Sequence, residues 1–136
     1  MAFLDDLADR LVAQGVGVFG TNIFGSSKAV IPVGIGPYLS LLETGGGPPA
    51  GTQNDTATER PSAQLLCRAS TFPAARTMLR NAYNALGGAN GLHNVTLSGT
   101  FYLSITPKQS ITDIGLEAGT SRAMVVFNID VEKQPS

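Results

Sequence analysis

Residues 61–87 read Pro-Ser-Ala-Gln-Leu-Leu-Cys-Arg-Ala-Ser-Thr-Phe-Pro-Ala-Ala-Arg-Thr-Met-Leu-Arg-Asn-Ala-Tyr-Asn-Ala-Leu-Gly. The first part alternates. Ala63, Leu65, Cys67 and Ala69 fall on one side, and Gln64, Leu66, Arg68 and Ser70 on the other, which is the period of a strand with one buried face. After Pro73 the period changes. Ala75, Met78, Leu79, Ala82, Tyr83 and Leu86 form one stripe of a helix. Ser70 or Thr71 caps its start, Pro73 suits its first turn, and Gly87-Gly88 stops it. A strand running straight into an amphipathic helix predicts a sheet with a helix laid across it. The unit carries no nucleophile, base or ligand cluster.

Working outward, the N-terminal residues Phe3, Leu4, Leu7, Ala8, Leu11 and Val12 predict an amphipathic helix over residues 2–14. Asp5, Asp6 and Asp9 sit in its first half, where the positive end of the helix dipole favours acids. Residues 21–25 and 29–33 are short β-type runs, and 37–44 is a better strand. On the far side, Leu97, Gly99, Phe101, Leu103 and Ile105 alternate with Ser98, Thr100, Tyr102 and Ser104, so residues 95–107 read as one strand. Residues 111–115 form a short apolar run. In residues 121–133, Ala123, Val125, Phe127, Ile129 and Val131 point inward and Arg122, Met124, Val126 and Asp130 outward. The expected fold is α+β: one domain over residues 1–136, an antiparallel sheet of about four main strands, and two amphipathic helices packed on it.

Residues 45–60 form a Gly/Pro/Thr/Asn-rich stretch with no large apolar side chain. It has too little to bury to offset its ordering entropy, so it reads as a long mobile hairpin arm that orders against a partner. Connections longer than about 12–15 residues are usually functional or linkers. Asn54, Asp55, Glu59 and Arg60 are its candidate contact residues.

Composition narrows the function classes. The net charge is −1, so no global basic field holds nucleic acid. The single cysteine, Cys67, excludes an internal disulfide and shares the buried strand face with Leu65. The N-terminus has acids where a signal peptide has bases, and no apolar run nears the ~20 residues a bilayer crossing needs. Synthesis in a cytoplasm is the expectation. Gly15-Val16-Gly17-Val18-Phe19-Gly20 matches G-x-G-x-x-G, and a small-ligand or nucleotide-binding domain is the alternative function. That turn must follow a strand and open a helix, whereas here a helix precedes it and a strand follows. The acids are dispersed, the lone His93 has no partner nearby in sequence, and no metal-ligand spacing occurs. No catalytic, metal or cofactor residue is assigned, and no enzyme is expected.

Arg76 and Arg80 lie one turn apart on the outer side of the central helix. Tyr38, Leu42, Tyr102, Met124 and Val126 put apolar groups on strand faces that ought to be polar, so a second cover is required. Arg76, Arg80, Arg122, Met124 and Val126 are therefore candidate subunit contacts.

Gln64-Leu65-Leu66-Cys67-Arg68-Ala69 before an alanine-rich helix, then Asp113-Ile114-Gly115, then Arg122 followed by Phe127-Asn128-Ile129-Asp130-Val131, form a succession. It resembles the small minor capsid and tail terminator proteins of long-tailed bacteriophages. Those have an "LLVRA"-like strand before a helix and an "I-x-D-x-G" turn before a strand of the "R-x-x-x-x-F-N-I-x-V" kind. The resemblance spans residues 36–133. It implies a virion structural protein made in the host cytoplasm. Its subunits would form a homo-oligomeric ring, usually a hexamer, capping the tail tube in the neck and meeting the head–tail connector. The implied partners are its own copies, the tail tube protein and the connector, with DNA only as cargo and no membrane.

Overall fold

The computed structural model describes residues 3–25, 34, 36–44, 47–50, 58–119 and 121–134. Helix α1 runs over Phe3–Ala13 and α2 over Phe72–Ala85, with a short 3₁₀ turn at Gly88–Asn90. The strand segments are β1 (Ile23–Phe24), β2 (Tyr38–Glu43), β3 (Gly47–Ala50), β4 (Thr58–Arg60), β5 (Ser62–Ala69), β6 (Leu92–Leu97), β7 (Thr100–Pro107), β8 (Thr112–Leu116) and β9 (Ala123–Lys133). The fold is mixed α+β with two helices, as expected, but it has nine strand segments among the described residues rather than about four. The run at residues 29–33 lies outside the described residues.

The sheet is organised around β9. On one side of β9, β5 pairs antiparallel over all of its own length, from Ser62↔Asp130 to Ala69↔Ala123, and β4 pairs through Glu59↔Lys133. The other side is shared: β8 takes the first half and β7 the second. Beyond β5 lie β2, antiparallel, and then β1, which pairs parallel with β2. Beyond β7 lies β6. Segment β4 continues the line of β5 across Pro61, whose carbonyl accepts from the Val131 N–H at 3.0 Å. Segment β3 pairs antiparallel with β4, Gly47 with Arg60 and Ala50 with Thr58, within the stretch read as a mobile arm.

Helix α2 forms as the spacing predicts. The Thr71 hydroxyl accepts from the Ala74 N–H at 3.3 Å, and Pro73 occupies the first turn, where a missing N–H leaves no intrahelical bond unmade. Its buried stripe, Ala75, Met78, Leu79 and Ala82, covers β5 and β9. Helix α1 lies beside it, over β2 and β6. Between helices and sheet lie Leu7, Leu11, Leu39, Leu65, Val125, Phe127 and Ile129, all essentially inaccessible to solvent.

The largest difference from the sequence pattern falls in residues 95–107. The structure breaks this run into β6 and β7 at Ser98-Gly99, where both φ angles are positive, +48° and +86°. Two central residues with φ > 0 make the two-residue turn whose twist suits a hairpin. The turn reverses the parity. Leu97 now faces Thr100, so Thr100 and Tyr102 are buried, and Phe101 and Leu103 are only half-buried. A register shift between Tyr102 and Ser104 places an extra residue, Leu103, in β7 and returns Ile105 to the core beside Val131. Tyr102, expected on the outer face, is fully buried. His93, expected in a turn, lies on exposed β6, with Nε2 2.8 Å from the Asn90 carbonyl oxygen.

Candidate functional site

Two regions stand out beyond the core: the outer edge of β8 and the root of the β3–β4 hairpin. Strand β8 pairs with β9 alone, so its other edge carries no strand partner among the described residues. Gly115, at φ +106°, sits where the register shifts between Asp113 and Gly115, and Ile114 is the extra residue there. Ile114 is 47% exposed and Leu116 62% exposed. A short edge strand with open backbone groups and two large apolar side chains is a template for pairing with another chain.

Behind this edge is a charged network on the sheet face away from the helices. The register puts Tyr38, Arg68, Met124 and Gly115 in one row, and Ser40, Leu66, Val126 and Thr112 in the next. Arg68 Nε donates to one carboxylate oxygen of Glu117 at 2.8 Å, and Arg122 Nε donates to the other at 2.8 Å. Arg122 also donates to the Gly34 carbonyl and lies over the Tyr38 ring. A second Arg68 nitrogen donates to Ser40 Oγ. One carboxylate thus ties the β8–β9 turn to β5.

At the hairpin root, Glu59, Lys133 and Tyr102 are register partners in a row across β4, β9 and β7. Lys133 is buried, yet its Nζ reaches Glu59 Oε1 at 2.7 Å. The Tyr102 hydroxyl donates to Asp6 Oδ2 of α1 at 2.6 Å. Asp6 is 2% exposed, and its Oδ1 has no hydrogen-bond partner among the described residues. Burial raises the Asp6 pKa above its ordinary value; the Tyr102 bond and the Lys133 charge pull it down, while Asp9 and Asp5 push it up further. Burial likewise raises the Tyr102 phenol. On the outer sheet face beside this root lies a polar cleft of about 300 Å³, lined by Arg60, Ser104, Thr106, Asp130, Val131 and Glu132.

A raised carboxyl pKa has a definite sign. In the window between 3.8 and the raised value, the folded chain binds the proton that the unfolded chain has lost. Stability therefore increases as pH falls from neutral through that window. Asp6→Asn keeps an acceptor for Tyr102 and removes the charge. Its stability at neutral pH is expected to equal or exceed that of the parent, and the difference between the two should shrink on acidification. Urea titrations at a series of pH values measure this; a variant less stable at neutral pH than at pH near 4, relative to the parent, contradicts it.

The structure distributes the sequence-predicted contacts unevenly. Asn54 and Asp55 lie outside the described residues. Glu59 holds Lys133, and exposed Arg60 stands 3.9 Å from Glu132. Arg76 pairs with Asp113 of β8, and Arg80 is exposed, its guanidinium 5.7 Å from the Tyr83 ring centre. Met124 is half-buried. Arg122 and Val126, read as outward, are buried: Arg122 by Glu117 and Tyr38, Val126 between Leu66 and Thr112 in the middle of three strands. They support the surface rather than form it. Nothing in the sequence pattern marks Ile114, Leu116, Glu117, Lys133, Asp6 or Tyr102 as a site residue. The signal for β8 was present in its two flanking turns, which mark a short edge strand.

The glycine-rich turn after α1 leads into β1, with the Val18 N–H bonded to Asn22 Oδ1 at 2.7 Å. It opens no helix, so the feature that suits a pyrophosphate is missing from it. Cys67 is buried, its thiol pushed up to about 12 by desolvation. Among the described residues, no group of His, Cys, Asp and Glu could hold a metal ion, and no helix is long and apolar enough to cross a membrane.

No protein-family model matches the chain, and no curated protein matches it. The fold does have a solved counterpart. A chain of the virion of the native gene transfer agent (GTA) particle superposes with a TM-score of 0.53 at 17% identity, covering 92% of this chain and 84% of that one. At this identity the likeness is one of fold.

Proposed function

We propose that the chain is a virion structural protein, a tail terminator or neck ring subunit that caps the tail tube and joins it to the head connector. The observation that carries this reading is the open β8 edge with exposed Ile114 and Leu116. A subunit of a closed ring needs one surface that receives its neighbour head-to-tail. The likeness in fold to a chain from a virion particle and the resemblance over residues 36–133 support the same reading.

The division of labour follows. Subunits meet through β8, with Arg76, Arg80 and Met124 around it and Arg122 and Val126 behind. The hairpin carrying Asn54, Asp55, Glu59 and Arg60 reaches the tail tube. The ring is a hexamer on the resemblance, it sits in the neck, and DNA passes through it as cargo. Nothing in this scheme uses a catalytic group or a cofactor.

Mass in solution tests the ring. Light scattering is expected to show an oligomer, alone or with the tail tube protein added. A monomer under both conditions overturns it. Leu116→Asp places a charge on the exposed edge. It is expected to weaken self-association about 30–100-fold, on the order of 2–3 kcal/mol, while leaving the fold intact. Unchanged association would remove β8 from the contact.

A further inference from the structure

The row Glu59–Lys133–Tyr102 joins two elements that do not touch in sequence: the hairpin root and α1. Lys133 is the only cation described in it, and its ammonium is held by Glu59, a side chain 46% exposed at the rim. Directly opposite, Tyr102 passes the row on to Asp6, whose second oxygen is buried and unpartnered among the described residues. If β4 lifts, Lys133 is left as a buried charge without a carboxylate, which is strongly unfavourable unless another anion takes it. Asp6 is that anion.

We infer that Lys133 has two positions, holding Glu59 while the hairpin root is seated and turning to the open Oδ1 of Asp6 when the root lifts. Seating of the hairpin and the grip on α1 are thereby coupled. Lifting of the root tightens α1 on the sheet, and anything that draws Asp6 away leaves Lys133 to Glu59 and to the Gln134 carbonyl, 3.5 Å from its Nζ. Coupling of this kind is reciprocal. Among the described residues, the charged or titratable groups acting on Asp6 are Asp5 and Asp9 from α1, Tyr102 from β7 and Lys133 from β9; Glu59 of β4 acts on Tyr102 and holds Lys133. The lowering effect of Lys133 on the Asp6 carboxyl already operates with the root seated. The coupling is intramolecular, so it stands or falls separately from the ring.

Hydrogen exchange on the full chain tests it. Glu59→Gln removes the charge that holds Lys133 at the root. Protection of residues 58–60 is expected to fall, and protection of α1 to rise at least about fivefold. NMR should show the Asp6 carboxyl titrating at lower pH in this variant. In a Lys133→Met background, Glu59→Gln should change neither. Lys133→Met leaves Glu59 at the exposed rim and adds no buried charge, so the background is expected to fold. Unchanged or reduced α1 protection in Glu59→Gln, or an Asp6 titration that does not move, overturns the proposal. So does the same α1 response with Lys133 absent.

Discussion

Phe127→Ala is expected to lower stability by about 3–5 kcal/mol, enough to leave the chain near its unfolding threshold at ordinary temperature. Phe127 sits in the middle of β9, opposite Leu65 of β5, and is 1% exposed. Its ring meets Tyr83 of α2 edge-to-face, with centroids 5.2 Å apart and planes at 78°. The same side chain therefore fills the space between sheet and helix and orients the helix on it. Removing it opens a cavity whose walls are strands paired on both sides, which leaves little room for collapse. Thermal unfolding should fall by roughly 10–20 °C. Phe127→Leu keeps most of the volume and should cost about 1–2 kcal/mol. Tyr83→Leu, which loses the ring–ring contact, should cost about 0.5–1.5 kcal/mol beyond its lost area. A Phe127→Ala variant within 1 kcal/mol of the parent would show that α2 is not anchored there.

The two elements that meet there are legible in the sequence because each is specified locally. The 61–87 stretch carries its own period, cap and stop, and Phe127 falls on the inward side of an unbroken alternation. The errors have equally physical causes. Ser98-Gly99 is a two-residue turn that interrupts alternation without breaking the run of β-type residues, so straight alternation gives residues 100–103 the reverse of their observed parity, which the extra residue Leu103 restores at Ile105. Straight alternation points Tyr102 outward, away from Asp6, although the two are bonded in the fold. Arg122 and Val126 obey strand parity, but burial on the outer face depends on how many strands flank a residue and on Glu117, which is a turn residue in sequence. The polar 45–60 stretch hides two strand segments, β3 and β4, because neither carries a large apolar side chain. That its root is clamped by a buried lysine needed the register of three strands.

Glu117→Gln is expected to cost about 2–4 kcal/mol and also to weaken self-association through β8. The Glu117 carboxylate is 23% exposed and takes both Arg68 and Arg122, whose side chains are 20% and 10% exposed. A neutral amide keeps one acceptor oxygen but turns its NH₂ toward a guanidinium, so one arginine faces a donor and neither faces a full charge. Leaving a largely buried cation without its carboxylate is among the costlier single changes, although the partial exposure here lowers the cost below that of a deeply buried pair. The turn carrying Glu117 joins β8 to β9: the Glu117 N–H donates to the Arg122 carbonyl at 2.7 Å, and the Ser121 N–H donates to the Glu117 carbonyl at 2.9 Å. With the two arginines released, this turn loses its tie to β5, and β8 holds its edge less firmly. Association should therefore fall in Glu117→Gln even though Ile114 and Leu116 are untouched, whereas Leu116→Asp should affect association alone. Denaturant midpoints and light scattering on the two variants separate these outcomes. If Glu117→Gln unfolds within 0.5 kcal/mol of the parent, the network does not brace β8, and the edge owes its shape to β9 and the Arg76–Asp113 pair.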